Sequence, residues 1–583
     1  MNRLSPAIGL GLAAAALASC SKSRVETVPP AEPALVSGPA AEEADVVVTG
    51  TRIARPNLES AMPITIIGAE PGAQAVPAPP PVAYPVVATG RRIAGTGQYP
   101  LQRPFNPPEV GRDRFTSVSE NPFKAAAEEP VSTFSIDVDT ASYSWVRASL
   151  NRSVLPQPAA VRAEEMINYF PYDYAAPRTA AQPFSNHISV FPSPWAPGRK
   201  LVRIGIKGFD IARAQRPRAN LVFLIDTSGS MNEANKLPLV KQSLAMLLDR
   251  LGEEDRVAIV TYAGIAGTAL EPTRAGDKAR ILAVIDSLGA GGSTAGAEGI
   301  RQAYALAERN LDPKGVNRVI LATDGDFNVG ITDPDELKGF VERERGKGVF
   351  LSVLGFGMGN YNDALMQTLA QNGNGAAAYI DTVAEARKTL VEEATSTLFP
   401  IAKDVKIQVE FNPATVAEYR LVGYETRMLA REDFDNDRVD AGDVGSGQSV
   451  TALYEIVPVG GSRVLGDLRY STPVRRPAGT SGEYGFVKIR YKLPKSETSR
   501  LISAPIDRSA ESARFADAPR DARFAAGVAA FAELLRGGKY SGSMSFDDVL
   551  AILSGARGAD PFGYRSELLD LVRAAKAARS MPG

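Results

Sequence analysis

Alternating strand and helix patterns between residues 220 and 398 constrain the fold of this chain more than any other feature. Residues 221–225 are Leu-Val-Phe-Leu-Ile, a continuous apolar run typical of a strand buried on both faces. Further strand patterns at 256–262, 319–323 and 349–356 are separated by amphipathic helical ones. Because such alternation forms parallel sheets through right-handed crossovers, the sequence predicts an α/β domain with a doubly wound parallel sheet.

Oxygen-bearing side chains occupy three loops at the carboxyl ends of these predicted strands. The first loop carries Asp226, Ser228 and Ser230, a glycine-rich loop carries Thr294, and the third begins with Asp324. Ligands of doubly wound sheets bind at this edge. Carboxylate and hydroxyl oxygens suit Mg²⁺, Mn²⁺ or Ca²⁺, and two carboxylates neutralise one divalent ion. The sequence therefore predicts a divalent metal site.

The motif Asp226-x-Ser228-x-Ser230, together with Thr294 and Asp324, resembles the metal-ion-dependent adhesion site (MIDAS) of von Willebrand factor type A (VWA) domains. The resemblance covers the whole predicted α/β domain and all five motif positions. It implies that the serines contact the metal, that the threonine does so in some states, and that the aspartates act directly or through water. It also implies Mg²⁺ as the first candidate cofactor and a protein ligand, not identified by the sequence, that offers a carboxylate to the metal.

The regions on both sides of this domain resemble parts of a widespread group of bacterial VWA lipoproteins. Residues 132–143 and 164–170 resemble the segment that precedes the VWA domain in that group, and the end of the chain resembles its C-terminal domain of unknown function. We therefore expect an N-terminal α/β segment at 116–217, the VWA domain at 218–398 and a C-terminal β-plus-helix domain at 399–583.

The first 20 residues resemble a lipoprotein signal peptide. Arg3 supplies a positive charge, and the apolar run at 7–18 is too short to cross about 30 Å of hydrocarbon. Leu-Ala-Ser-Cys, ending at Cys20, resembles a lipobox, which implies acylation of this cysteine. Ser21 then favours the outer membrane, so we expect a lipid-anchored envelope protein that faces the periplasm. An ordinary secretory signal with an incidental cysteine is the alternative.

Residues 21–115 are rich in proline and alanine and are expected to be a disordered tail. A Val-Val-x-Thr-Gly-x-Arg-Ile-Ala motif occurs twice in this tail, at 46–54 and 86–94. Residues 45–67 resemble the TonB box and plug start of TonB-dependent receptors, which bind their partner as an added strand. The resemblance implies a TonB-type partner, and a low-complexity tail with a duplicated strand-like motif is the alternative.

Composition excludes several classes of function. The chain has 65 Lys and Arg against 66 Asp and Glu, so bulk charge does not favour nucleic acid, and we expect no such partner. One histidine and one cysteine exclude a His-rich metal site, intrachain disulfides and Cys-ligated clusters. The P-loop pattern Gly-x-x-x-x-Gly-Lys-Ser/Thr does not occur.

One motif outside the α/β repeat suggests catalysis. Asp137-Val138-Asp139 resembles the Asp-x-Asp of haloacid-dehalogenase phosphatases, in which one aspartate is the nucleophile. The further lysine and acidic motifs of that family have no match downstream, so we predict that the protein is not an enzyme.

The function predicted from the sequence is that of a membrane-anchored envelope protein that binds a protein partner through its MIDAS. The first alternative is a structural or assembly factor in which the VWA domain is a scaffold. A hydrolase that uses Asp137 is the second alternative.

Overall fold

The computed structural model of the chain describes residues 113–136, 139–292, 296–325, 334–358, 361–466 and 482–580, which lie within one compact unit. The predictions for the signal peptide, for Cys20 and for the tail with its TonB-box-like segment lie outside the described residues, and so does Thr294. None of the helices in the described part has the length and apolarity needed to cross a lipid bilayer.

The segment that precedes the α/β domain has four strands and two helices. They are β1 (Lys124–Ala125), β2 (Val131–Ser135), α1 (Ala141–Leu150), α2 (Ala163–Asn168), β3 (Phe184–Pro192) and β4 (Lys200–Gly208). Strands β3 and β4 pair with each other in antiparallel register. On α1, Trp145 stacks on Tyr361 of the α/β domain with ring centroids 5.6 Å apart. Helix α1 therefore packs directly on the α/β domain.

The α/β domain contains a six-stranded sheet. Its strands are β5 (Ala219–Asp226), β6 (Arg256–Tyr262), β7 (Ala266–Arg274), β8 (Val316–Thr323), β9 (Val349–Phe356) and β10 (Ala377–Ile380). Its helices are α3 (Leu237–Leu248), α4 (Lys278–Ser287), α5 (Gly296–Arg309), α6 (Pro334–Gly346), α7 (Asp363–Asn372), α8 (Val383–Arg387) and α9 (Ala394–Leu398). A π-helical turn (Lys388–Glu392) joins the last two.

The spatial order of the strands is β10-β9-β8-β5-β6-β7. The first five are parallel, which confirms the predicted α/β class with helices on both faces. The sixth strand, β7, runs antiparallel to β6 and forms one edge of the sheet. The sequence analysis did not predict β7, because its residues are mostly small or polar and form no continuous apolar run.

The central strand β5 explains why its sequence is apolar throughout. Leu221, Phe223 and Ile225 pack into the core on one face of the sheet, whereas Val222 and Leu224 pack into the core on the other. Successive side chains of a strand point to opposite faces, so a strand covered by helices on both sides needs an apolar residue at every position.

The region after the α/β domain has six strands and three helices. They are β11 (Pro400–Phe411), β12 (Val416–Val422), β13 (Gly442–Gly445), β14 (Ser449–Pro458), β15 (Glu483–Lys492), β16 (Ser499–Asp507), α10 (Arg520–Arg536), α11 (Phe546–Ala556) and α12 (Tyr564–Ser580). The strands lie in two sheets, of order β1-β12-β14-β4-β3 and β13-β11-β15-β16, and β2 pairs with β11.

Both of these sheets combine strands from before and after the α/β domain. Strand β4 pairs with β14 over eight residue pairs, and β2 pairs with β11 over five. Their inward side chains form one core, which includes Phe134 of β2, Ile204 of β4 and Ile407 of β11. We call this pair of sheets the sandwich. The α/β domain is therefore an insertion in the chain of the sandwich.

Candidate metal site

The first predicted loop follows β5 directly. Asp226 is the last residue of β5 and is fully buried, and Ser228 is 2 % exposed. One carboxylate oxygen of Asp226, Oδ1, accepts a hydrogen bond of 2.8 Å from the backbone N–H of Ser228. Such a bond to the N–H two residues later is the turn that a short acidic side chain favours. The turn places the hydroxyl oxygens of Ser228 and Ser230 3.0 Å apart.

The third predicted loop follows β8, which is the neighbour of β5 in the sheet. Asp324 lies immediately after this strand and is 1 % exposed. The hydroxyl of Thr323 donates to Oδ2 of Asp226 across 3.4 Å and accepts from the N–H of Gly325 across 3.2 Å. Gly325 has a φ of +99°, a conformation that suits glycine. The pairing of β5 with β8 thus brings the loops of Asp226 and Asp324 together.

The charge state of Asp226 reflects this setting. Burial raises the pKa of Asp226 to about 6, and the nearby carboxylate of Asp324 adds to the rise. The hydrogen bonds from Ser228 oppose it, because they favour the charged carboxylate. A bound cation would favour that charged form further.

The glycine-rich loop packs against the first loop. The N–H of Gly291 donates to the carbonyl of Thr227 across 2.8 Å, and the N–H of Gly229 donates to the carbonyl of Gly292 across 3.1 Å. Thr294 follows two residues after this contact, outside the described residues, so its role at the site stays a prediction.

Lys236 is a residue of this site that the sequence analysis missed. It is 5 % exposed, and its Nζ lies 3.1 Å from Oδ2 of Asp324, whereas the carboxylate of Glu233 lies 3.9 Å away. The lysine side chain passes over Gly357, where a Cβ would lie only 2.4 Å from the Cε of Lys236. The adhesion-site motif contains no lysine, and the pair joins residues 88 positions apart, so no local pattern indicates it.

The donors present suit a hard divalent cation. They are two buried carboxylates, Asp226 and Asp324, and the two hydroxyls of Ser228 and Ser230. Within the described ranges, no group of three or more His, Cys, Asp or Glu side chains could hold a metal ion. A metal here therefore depends on the serine hydroxyls, which are oxygen ligands of the kind that Mg²⁺ binds.

Family models match three parts of the chain. Residues 220–393 match the von Willebrand factor type A domain, and residues 109–203 match a model described as von Willebrand factor. Residues 396–578 match the C-terminal region of "Uncharacterized protein YfbK". Fold, loop geometry and family model together define a VWA-domain protein. None of the three descriptions names an enzymatic activity.

A relative that matches most of the chain identifies the family within the VWA-domain proteins. The chain is 43 % identical over 473 residues to "Uncharacterized protein YfbK" of Escherichia coli (strain K12). The matched region covers 80 % of this chain and 81 % of that protein. The chain therefore belongs to the YfbK family, and the predicted resemblance to bacterial VWA proteins with this C-terminal region is confirmed.

Other similarities are confined to smaller parts or are weaker. Human inter-alpha-trypsin inhibitor heavy chain H4 is 31 % identical over 170 residues, which are 28 % of this chain and 18 % of that protein. A solved von Willebrand factor type A structure from Catenulispora acidiphila is 17 % identical, covers 69 % of this chain and 90 % of its own, and has a TM-score of 0.39. Proximal thread matrix protein 1 from the mussel byssus, solved with a zinc-occupied MIDAS motif, is 24 % identical, covers 31 % and 46 %, and has a TM-score of 0.26.

The Asp-x-Asp motif of the hydrolase hypothesis falls partly outside the described residues, which exclude Asp137 and Val138. Asp139 is 3 % exposed and makes contacts within the fold. It accepts a hydrogen bond of 2.9 Å from the N–H of Ala377 and forms an ion pair of 2.9 Å with Arg427. Both contacts connect the segment before the α/β domain with regions that come later in the chain.

Proposed function

We propose that this protein binds a protein partner through a divalent cation, with Mg²⁺ as the first candidate and Mn²⁺ or Ca²⁺ as alternatives. Asp226, Ser228, Ser230, Asp324 and Thr294 would hold the ion. The observation that carries the proposal is the approach of two buried carboxylates and two paired hydroxyls at the carboxyl edge of a VWA sheet.

The charge of the site supports an acidic partner. Asp226 and Asp324 bring two negative charges, and the buried ammonium of Lys236 brings one positive charge. A divalent cation therefore leaves the site with one net positive charge in a water-poor setting. A carboxylate from the partner neutralises this charge while it completes the coordination of the metal.

The exposed apolar side chain of Ile265 lies near the proposed metal site. Ile265 lies at the tip between β6 and β7 and is 88 % exposed. The neighbouring Gly264 touches the glycine-rich loop, because a Cβ on Gly292 would lie 3.3 Å from the Gly264 nitrogen. We infer that the partner places an apolar side chain next to its acidic one, where it covers Ile265.

The scaffold alternative has its own support. Arg162 forms a buried ion pair of 2.7 Å with Asp363, and Arg147 forms one of 2.8 Å with Glu385. These pairs link the segment before the α/β domain to α7 and α8 of that domain. If packing is the main role of the domain, a metal ion would change stability and leave partner affinity unchanged.

Capture from envelope extracts separates the two functions. The purified protein should retain a partner in the presence of Mg²⁺, and a chelator should release it. Asp226→Ala should lose the partner, whereas Asp286→Ala, which changes an exposed carboxylate on α4, should keep it. Equal retention by both variants, with and without chelator, would favour the scaffold.

We further propose that Cys20 is acylated and anchors the protein to the outer membrane, with the folded part facing the periplasm. The support is the lipobox-like sequence that ends at this single cysteine. Wild-type protein should incorporate labelled palmitate and fractionate with outer membranes, and Cys20→Ser should do neither.

For the TonB-box-like residues 45–67 we propose binding to a TonB-type domain by strand addition. A peptide spanning 42–67 should shift the NMR signals of that domain, and Val47→Pro should abolish the effect because it removes a backbone donor. A peptide that causes no shifts at millimolar concentration would identify the segment as spacer.

A further inference from the structure

A cavity of about 890 Å³ lies between the α/β domain and the sandwich. Strands β8 and β9 supply part of its wall through Arg318 and Ser352, and β13 with the residues beside it supplies another part, including Asp443 of β13. Asp226, Ser228, Ser230 and Asp324 are not among its lining residues. Its volume falls in the range of roughly 300–1,000 Å³ that is usual for pockets that bind small organic molecules.

The cavity wall contains a buried arginine without an acidic partner. Arg318 is 3 % exposed, and one guanidinium nitrogen donates to the hydroxyl of Ser352 across 2.6 Å. Its Nε has no hydrogen-bond partner, and Arg318 forms no ion pair with any carboxylate in the part of the chain that the structure describes. Burial lowers the pKa of Arg318 to about 10, so the guanidinium stays charged at neutral pH.

A buried charge is costly unless an opposite charge and hydrogen bonds compensate it. Asp443 lines the same cavity beyond ion-pair distance of Arg318, and its attraction at longer range opposes the lowering of the pKa of Arg318 by burial. Burial raises the pKa of Asp443 to about 7, and the neighbouring Asp404 adds to the rise, so this carboxyl is only partly charged at neutral pH. The guanidinium of Arg318 also lies over the ring of Phe350, 5.7 Å from its centroid. The charge of Arg318 is therefore only partly compensated, and a bound anion would compensate the rest.

Two more cationic side chains line the cavity and have no ion pair within the described ranges. Nε of Arg216 is buried and has no hydrogen-bond partner. The ammonium of Lys207 bonds to the carbonyl of Gly447 and, across 3.3 Å, to the hydroxyl of Ser449. Both side chains bring positive charge to the cavity, and Asp210, which also lines it, offsets part of the charge of Lys207.

Apolar side chains form a further part of the wall. Leu247 of α3, Ile320 of β8 and Leu354 of β9 all line the cavity from the α/β domain. Ile320 and Leu354 lie on the same face of the sheet as Arg318, because residues two apart in a strand share a face. A ligand whose acid group meets Arg318 would thus place its other atoms against an apolar surface.

We propose that this cavity binds an amphiphilic organic anion, with its carboxylate or phosphate paired to Arg318 and its apolar part against Ile320 and Leu354. The site is separate from the proposed metal site and does not depend on a metal ion.

Fluorescence of 8-anilinonaphthalene-1-sulfonate, an anion with an apolar ring system, tests this proposal on the intact protein. Wild-type protein should bind the probe saturably with one site. Arg318→Gln should weaken binding at least tenfold, and Arg301→Gln, which changes an exposed arginine on α5, should leave it unchanged. No saturable binding, or equal binding by folded Arg318→Gln, would overturn the proposal.

Two further measurements keep the test decisive if Arg318→Gln fails to fold. Arg216→Gln changes a half-buried side chain and should weaken probe binding several-fold while the melting temperature is kept. Decanoate and decyl phosphate should displace the probe at least tenfold better than decanol, and the better of the two identifies the acid as carboxylate or phosphate. Unchanged binding by Arg216→Gln together with equal displacement by decanol would overturn the proposal.

Discussion

Strand β8 connects two regions of opposite chemical character. Near its start, Arg318 lines the cavity with its positive charge, and just past its end Asp324 lies at the candidate metal site with its negative charge. The two residues are six positions apart, which is about 20 Å along an extended strand. If both proposals hold, the buried charges at the two ends of this strand bind ligands of opposite sign, a cation at one end and an anion at the other. At the candidate metal site, Lys236 forms an ion pair with Asp324, whereas Arg318 has only the longer-range attraction of Asp443 in the cavity.

The largest expected effect is a separation of the two sites by substitution. Asp226→Ala should weaken Mg²⁺ binding at least about 100-fold, because it removes one of two carboxylates at the ion, on the order of 3 kcal/mol. Binding of 8-anilinonaphthalene-1-sulfonate should not change. Isothermal calorimetry measures the dissociation constant of Mg²⁺, and fluorescence measures that of the probe. Arg318→Gln should show the reverse pattern, with weaker binding of the probe and unchanged binding of Mg²⁺. A folded variant that loses binding of both Mg²⁺ and the probe would contradict the independence of the two sites.

The next effect concerns stability near the cavity and its dependence on pH. The folded-state pKa of Asp443 is raised to about 7, above the value of about 4 expected in the unfolded chain. The folded state therefore binds more protons between these values, so the free energy of unfolding falls as pH rises from about 4 to 7. Because Asp443 is partly exposed, the effect is reduced. At pH 8 the free energy of unfolding of Asp443→Asn should exceed that of wild type by about 1–2 kcal/mol.

Denaturant unfolding at pH 5 and pH 8 checks this expectation. The difference in free energy of unfolding between Asp443→Asn and wild type should grow with pH. Asp286→Asn, at an exposed position of α4, serves as the control and should show no such growth. A constant difference across this range would show that Asp443 does not titrate as described.

A smaller effect tests how Lys236 compensates the charge of Asp324 at the candidate metal site. Lys236→Met should tighten Mg²⁺ binding on the order of tenfold, or about 1.4 kcal/mol, because it removes a positive charge that competes with the ion. The variant should melt at a lower temperature without metal, since Asp324 loses its ion pair, and Mg²⁺ should raise its melting temperature more than it does for wild type. Weaker Mg²⁺ binding by a folded variant would mean that the lysine supports the site.

The smallest effect is expected at the rim of the metal site. Ile265→Ser should lower the affinity for the captured partner about fivefold, near 1 kcal/mol, because the apolar contact is lost. Calorimetric Mg²⁺ binding should stay the same, since Ile265 offers no oxygen to the metal. Val383→Ser, which changes another exposed apolar residue of the α/β domain, is the matched control. Equal losses in both variants would argue against a specific contact at Ile265.

Local patterns predicted the α/β domain well. The strands β6 and β9 begin and end where their predicted strand patterns do. The reason is that each pattern repeats within one short segment whose burial is set by its own period. The edge strand β7 escaped prediction because its mostly small and polar residues leave no such pattern.

Contacts between distant parts of the chain could not be predicted in this way. The pairing of β2 with β11 joins residues about 270 positions apart, and nothing in either strand identifies its neighbour. The same holds for the ion pair of Lys236 with Asp324 and for the cavity around Arg318, which several elements form together. The motif did place Asp226 and Asp324 in loops that the structure brings together, because adjacent parallel strands end at one edge of a sheet.

The insertion of the VWA domain into the sandwich has a consequence for how the protein would respond to proteolysis and to pulling. The chain enters the domain after β4 and leaves it into β11, and the sandwich on either side is built from strands of both chain segments. A protease cut in the connection at 209–218 would leave the two fragments joined by the ladders of β4 with β14 and of β2 with β11. A force applied at the candidate metal site would likewise be transmitted to the sandwich through two covalent connections, and not through a single hinge.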